Sequence, residues 1–232
     1  MSSNKTVGAL LENGEANRPA IRATEGRASL SFAGLRELAA STVARLNSLG
    51  IGRNDRVAIV LPNGPDMATA FLAIATGATT APLNPAYRLE EFEFYLADLK
   101  ARALVLAKGV DTPARAAAEK LGITILELVP GTAAGAFILE GGTPGTAAHP
   151  GPAEPDDVAL VLHTSGTTAR PKIVPLTQTN VTASARHIAT TLALSPADTC
   201  LNVMPLFHIH GLIAAVLSSI GSGGAAICTP GF

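Results

Sequence analysis

The chain has 232 residues, of which 47% are hydrophobic, so it is long and apolar enough to bury a globular core. Its 17 Lys and Arg residues nearly balance 18 Asp and Glu residues, and no run of like charge could follow a nucleic-acid backbone, so we expect no nucleic-acid partner. The charged fraction of 15% is below the roughly 25% usual for soluble domains, which predicts a surface that contacts further protein.

The first 130 residues alternate predicted helices and strands. Ser31 is a suitable N-cap, apolar residues follow it at helical spacing, and Gly50 supplies a helix stop. Short apolar runs that end in Pro, Asn or Gly predict buried strands. In chain order we predict a helix at 31–50, a strand at 56–61, a helix at 66–75, a strand at 78–83, a helix at 89–99, a strand at 103–106, a helix at 112–121 and a strand at 123–128.

A change of composition follows this region. Residues 131–156 are dominated by Gly, Ala, Thr and Pro, which sustain neither helical nor strand periodicity, so we predict an exposed, mobile linker. The alternation then resumes, with strands at 157–162 and 172–176, a helix at 179–194, a strand at 201–204, a helix at 209–220 and a strand at 225–228. Such alternation implies βαβ units. The predicted fold class is α/β, with mainly parallel sheets and helices on both faces.

The segment HTSGTTARPK, residues 163–172, directly follows a predicted buried strand. Open α/β sheets bind ligands at the carboxyl ends of their strands. Gly166 lets backbone N–H groups approach a ligand closely, and Lys172 adds a compact positive charge. The other candidates share a hydroxyl donor, and they are Thr164, Ser165, Thr167 and Thr168. The loop is therefore predicted to bind phosphate.

Two other interpretations of this loop are open. A Walker-type P-loop has Gly before its lysine and Ser or Thr after it, whereas Pro171 and Ile173 flank Lys172. A polar surface turn, rich in Ser and Thr by chance, would bind nothing. The spacing disfavours the first interpretation, and the concentration of hydroxyls around a glycine disfavours the second.

The loop resembles the Thr-Ser-Gly-Thr-Thr-Gly-x-Pro-Lys signature of the adenylate-forming superfamily, which contains acyl- and aryl-CoA synthetases, luciferases and the adenylation domains of peptide synthetases. Ala169 stands where glycine is usual. The segments LPN at 61–63, PLNP at 82–85 and MPLFH at 204–208 are similar to early motifs of acyl-CoA synthetases, in the expected order. Ala169, the VPL segment at 174–176 and FHIHG at 207–211 most resemble the oxalate–CoA ligase branch.

This resemblance implies a two-step reaction that uses ATP, Mg²⁺ and coenzyme A. ATP and a small carboxylic acid give an acyl-adenylate and pyrophosphate, and the CoA thiol then displaces AMP. Residues 164–168 and Lys172 would hold the β- and γ-phosphates, with Mg²⁺ bridging them. His208 is the candidate catalytic residue beside the acyl pocket, and both His208 and His210 are candidate substrate-binding residues. A hydrogen-bonded structural role is the alternative for each histidine.

The resemblance also suggests a division of the chain. Residues 1–130 would be a first βαβ-type region, 131–156 the Gly/Ala/Pro-rich linker, and 157–232 the phosphate-loop region with the start of the acyl-binding region. The family's later motifs and its small C-terminal domain have no counterpart here. We therefore expect an N-terminal portion of a ligase, inactive alone, whose partners include the missing remainder of its own chain.

For the full-length protein we expect an acid–CoA ligase that acts on oxalate or another short carboxylate. The alternatives are a ligase for a fatty or aromatic acid, a non-catalytic binding module that keeps the fold, and a phosphotransferase of unrelated mechanism that releases ADP. The apolar surroundings of Cys200 and Cys228 predict buried, reduced thiols. The N-terminus has no signal-peptide pattern and no apolar stretch approaches the length of a membrane span, so we expect a cytoplasmic protein, or a peroxisomal one in a eukaryote.

Overall fold

The computed structural model describes residues 5–24, 26–164 and 171–231, and over these ranges the chain forms two β-sheets with helices packed around them. The larger sheet has seven strands in the order β7-β6-β5-β3-β4-β8-β9. Its central pairs are parallel, whereas β7 and β9 run antiparallel at the two edges. Its strands are β3 Arg56–Val60, β4 Thr79–Pro82, β5 Ala103–Ala107, β6 Thr124–Pro130, β7 Phe137–Gly141, β8 Val158–Thr164 and β9 Lys172–Thr177.

The smaller sheet joins the two ends of the sequence. Its order is β10-β11-β1-β2, with parallel pairing of β11 to both β10 and β1. Its strands are β1 Pro19–Ala23, β2 Leu30–Ser31, β10 Thr199–Asn202 and β11 Ala225–Cys228. Strands β1 and β2 were not predicted, because neither contains a continuous apolar run like those that indicated β3 and β5.

The helices follow the predicted alternation closely. Ser31 caps α2 as predicted, since its hydroxyl accepts a hydrogen bond from Gly34 N. The short helix α1 is an addition to the prediction. In chain order the helices are α1 Val7–Leu11, α2 Phe32–Ser48, α3 Pro65–Ala75, α4 Leu89–Leu99, α5 Pro113–Lys120, α6 Gln178–Thr191, a π-helix at His210–Leu217 and α7 Ser218–Gly221.

Both faces of the larger sheet are covered, as β3 shows. Val57 and Ile59 point into one apolar core, and Ala58 and Val60 point into another. The core around Val57 and Ile59 also contains apolar residues of α2 and every residue of 67–75 in α3 except Thr69. The core around Ala58 and Val60 also contains apolar residues of α4 and α5. Because α3 contacts strands of both sheets, it lies between them. The prediction of an α/β fold with mainly parallel sheets and helices on both faces is confirmed.

The prediction that residues 131–156 lack strand structure is wrong for part of this segment. Strand β7 pairs antiparallel with β6, and its Phe137 and Leu139 are buried at alternate positions. Ala134 and Ala147 are also buried. The Gly-rich surroundings of this short alternating pattern had obscured it. The division at 131–156 remains a prediction, although strands from both sides of it share the larger sheet.

Among residues 5–24, 26–164 and 171–231, no helix combines the length and the apolar character that crossing a bilayer would require.

Candidate active site

Two strands bring the ends of the predicted phosphate loop together. β8 and β9 pair antiparallel, so that Thr164 at the end of β8 lies opposite Lys172 at the start of β9. The stretch of β8 at 159–161 is buried, whereas the Lys172 side chain is exposed. The other loop candidates lie outside the described residues, and they are Ser165, Gly166, Thr167 and Thr168. The loop therefore opens at the carboxyl end of β8, where α/β sheets bind their ligands.

A cavity of about 470 Å³ lies beside this loop. Residues of β8 and β9 form part of its wall, Tyr87 and Tyr95 form another part, and the turn 207–209 completes it. Thr164 and His208, both predicted from the sequence, line the cavity. Lys172 and His210 are exposed, and they do not belong to its lining.

His163, which precedes Thr164, anchors the start of the loop to helix α4. Its side chain is only 6% exposed, and its Nε2 lies 3.0 Å from Asp98 Oδ2. Because an ionised carboxylate can only accept, His163 Nε2 carries the proton in this hydrogen bond. The imidazole also meets Tyr95 edge-on, with ring centroids 4.6 Å apart. The sequence pattern indicates no individual role for this histidine.

Tyr87 extends the same cluster along the cavity wall. Its ring stacks on Tyr95 with centroids 4.9 Å apart and meets Phe92 edge-on. Burial raises the pKa of Tyr87 to about 12, and a hydrogen bond with Tyr95 adds to the effect. The Tyr87 hydroxyl therefore stays protonated through the neutral range, and Tyr87 and Tyr95 form one hydrogen-bonded pair in the cavity wall.

His208 lies on a tight turn just before the π-helix. Its backbone N–H donates to Pro205 O, and its Nδ1 accepts a hydrogen bond from His210 N at 3.4 Å. A neutral imidazole that accepts at Nδ1 carries its proton at Nε2 and can donate there. A Cβ on Gly211 would lie 2.5 Å from Pro205 O, so only glycine lets the π-helix begin this close to the turn. π-Helical turns often occur at functional sites.

Two asparagines hold the segment that leads to His208. The Asn63 side chain donates to Met204 O and accepts from Leu206 N, at 3.1 and 2.7 Å. Asn202 also donates to Met204 O and accepts from Met204 N. These side-chain bonds replace strand pairing, which explains why β10 ends at Asn202 and not at residue 204 as predicted.

Comparison with known proteins explains why these motifs occur together. Residues 11–232 match the sequence model of the family described as AMP-binding enzyme. The chain belongs to this family. It is 42% identical to an oxalate–CoA ligase of Arabidopsis thaliana, over 97% of this chain and 45% of the relative. It is 37% identical to an oxalate–CoA ligase of Saccharomyces cerevisiae, over 78% of this chain and 38% of that protein.

Solved structures of AMP-binding enzymes share the fold. The crystal structure of ATP-bound MatB from Rhodopseudomonas palustris superimposes with a TM-score of 0.80 at 26% identity. The match covers 99% of this chain and 46% of MatB. The chain thus spans less than half the length of the relatives and of the structure described here. The resemblance to adenylate-forming enzymes inferred from the loop and the early motifs is confirmed.

Within 5–24, 26–164 and 171–231, no group of three or more His, Cys, Asp or Glu side chains is arranged to hold a metal ion. Asp98, the acidic residue nearest the loop in the His163 cluster, is paired with that histidine. Mg²⁺ in nucleotide sites is usually bound by one or two carboxylates together with the substrate phosphates.

Proposed function

We propose that the full-length protein is an AMP-forming acid–CoA ligase and that oxalate or another short carboxylate is its acid substrate. The observation that carries the proposal is the pairing of Thr164 with Lys172 beside a cavity that His208 also lines. In this proposal the phosphate-binding loop and the acid pocket are neighbours, because adenylate formation needs both reactants side by side. The two relatives named oxalate–CoA ligase support the choice of acid.

In this proposal the loop residues bind ATP. Hydroxyl and backbone donors of residues 164–168 hold the β- and γ-phosphates, and the Lys172 ammonium neutralises their charge. MatB, which has the same fold, was solved with ATP bound, and this supports ATP as a ligand of the protein. Stabilising the phosphate oxygens helps the bond between the α- and β-phosphates to break, because pyrophosphate leaves with added negative charge.

The cavity in this proposal holds the acid. His208 donates from Nε2 to the reacting carboxylate and keeps one of its oxygens directed at the α-phosphorus. His210 lies outside the cavity lining, and it would reach a second carboxylate only if its exposed side chain turned towards the cavity. The carboxylate oxygen bonds to the α-phosphorus, pyrophosphate leaves, and the CoA thiol then attacks the acyl carbonyl and releases AMP.

The products and the acid distinguish this proposal from its alternatives. We expect pyrophosphate and AMP when the full-length protein is given ATP, CoA and oxalate, and less or none with benzoate and palmitate. Turnover with palmitate or benzoate, but not with oxalate, would support an acid–CoA ligase with a different acid substrate. Formation of ADP would indicate a phosphotransferase, and no turnover with oxalate, malonate, benzoate or palmitate would contradict the proposal.

Replacement of Lys172 tests the phosphate site directly. Lys172→Ala should lower kcat/KM for ATP about 10- to 100-fold, which corresponds to the loss of a charge-assisted hydrogen bond. Steady-state pyrophosphate release at varied ATP measures this effect. Lys120→Ala is the matched control, because that lysine is exposed and pairs with Glu93 in α4, and its kcat/KM should equal that of the wild type. If kcat/KM for ATP were the same in both variants, Lys172 would not belong to the phosphate site.

A further inference from the structure

We infer that Asn63 is a positioning residue that fixes His208 at the cavity wall. The inference rests on the proposed function, because His208 is assigned there to the acid. Asn63 follows β3, and Met204, which its side chain contacts, lies 141 positions later in the sequence. The LPN segment by itself indicates no role for Asn63.

The backbone on both sides of Asn63 is held in place by buried residues. β3 ends at Val60, which is 5% exposed, and α3 buries Met67 to 2%. Gly64, between Asn63 and α3, has φ of 147°, a conformation that glycine adopts readily and other residues rarely do. The backbone on both sides of Asn63 is therefore fixed by the core, and its side chain projects from a defined place.

The carboxamide of Asn63 behaves like a peptide group of a neighbouring strand. Its oxygen accepts from Leu206 N at 2.7 Å and its nitrogen donates to Met204 O at 3.1 Å. Leu206 is fully buried, so its N–H would lose a hydrogen bond away from bulk solvent if Asn63 were absent. The Asn202 side chain bonds to Met204 N and O, two residues away, and these bonds do not replace the one to Leu206 N.

The position of this turn decides the shape of the cavity. Phe207 lines the cavity of about 470 Å³ and also a second cleft of about 360 Å³, which Asn63 borders from the other side. A displacement of the turn would therefore widen one space at the expense of the other. His208, the next residue, would move with the turn, and its Nε2 would no longer be placed to donate to the carboxylate.

Variants of Asn63 should affect the acid more than ATP. Asn63→Asp keeps the acceptor for Leu206 N and loses the donor for Met204 O, and Asn63→Ala loses both. In the full-length protein we expect either variant to raise KM for the carboxylate about tenfold, with KM for ATP within about twofold of the wild type. In a His208→Ala background the same substitutions should change KM for the carboxylate by less than about twofold, because both residues act through one group.

Asn47→Asp is the matched control. Asn47 also bridges backbone with its carboxamide, donating to Ile51 O and accepting from Gly151 N, but it lies on α2 away from the cavity. It should leave both KM values unchanged. An equal rise in both KM values, or a full effect of Asn63→Asp in the His208→Ala background, would overturn the inference and show that Asn63 acts only on stability.

Hydrogen exchange gives a readout that does not depend on turnover. The amides of Leu206 and His208 should exchange about tenfold faster in Asn63→Ala, which removes the acceptor of Leu206 N, while the amides of β3 stay as in the wild type. If the protein ligates no acid but these amides respond, the proposed function fails and the positioning of the turn stands. If the protein ligates oxalate and these amides exchange as in the wild type, the positioning role of Asn63 is wrong.

Discussion

At the scale of single residues, the two cysteines of neighbouring strands lie in different surroundings. Both thiols are free, but Cys200 on β10 is half-buried whereas Cys228 on β11 is 1% exposed. The expectation that both would be buried is therefore wrong for Cys200, which lies on the edge strand of the smaller sheet. Burial raises the pKa of Cys228 to about 12, with a smaller contribution from Cys200.

The raised pKa of Cys228 predicts a loss of stability in alkali. The unfolded chain releases this proton from about pH 9, and the folded chain holds it until about pH 12. The contribution to stability is thus fully present below pH 9 and is lost as the pH rises through that window, at a slope of at most about 1.4 kcal/mol per pH unit. Urea unfolding between pH 8 and 11 should show a flatter pH dependence in Cys228→Ser and in Cys228→Ala. Parallel curves for the wild type and both variants would contradict this assignment.

Contacts between distant residues explain why the sequence revealed only part of the site. The loop and the FHIHG segment were recognisable because each is a continuous pattern. The bond between His163 and Asp98 spans 65 positions, and the bond from Asn63 to Met204 spans 141. Which residues meet over such separations depends on the strand order, and the alternation of helices and strands does not specify that order.

At the scale of elements, capping and breaking residues gave the most reliable predictions. The α2 helix begins after Ser31 and ends just before Gly50, which adopts φ of 76°, as its sequence indicated. Helix α4 and strand β11 were predicted with the bounds observed. The elements α1, β1, β2 and β7 were missed, because none of them contains within its bounds the continuous apolar run that indicated equally short strands such as β3, β5 and β11. They are held by tertiary packing instead.

The cap of α2 can be measured. Ser31 Oγ accepts from Gly34 N at 3.1 Å, so Ser31→Ala leaves an N–H of the first turn without this partner and should lower the free energy of unfolding by about 1 kcal/mol. Ser41→Ala is the control within the same helix. Ser41 is exposed and donates to Leu38 O, so its replacement should change the free energy by less than about 0.5 kcal/mol. Equal effects of the two substitutions in urea titrations would show that the cap contributes nothing.

At the scale of the whole molecule, the segment after β7 closes over the loop that joins α2 to β3. Gly145 N donates to Ser48 O, Gly151 N donates to the Asn47 side chain, and Ala153 N donates to Thr76 O. A composition rich in Gly, Ala, Thr and Pro predicted mobility here. These hydrogen bonds predict low mobility instead, because two of them hold the segment to the end of α2 and the third holds it to the end of α3.

Gly52 provides a test of how firmly this segment is held. Arg53 N donates to His149 O, and a Cβ on Gly52 would collide with that same carbonyl oxygen, so Gly52→Ala should push residues 149–151 away. We expect the amides of Gly151 and Ala153 to exchange slowly in the wild type and about 10- to 100-fold faster in Gly52→Ala. Gly8→Ala, where the nearest atom would lie at an ordinary 3.7 Å, should leave these rates unchanged. Fast exchange of both amides in the wild type itself would instead favour the mobile linker that the composition predicted.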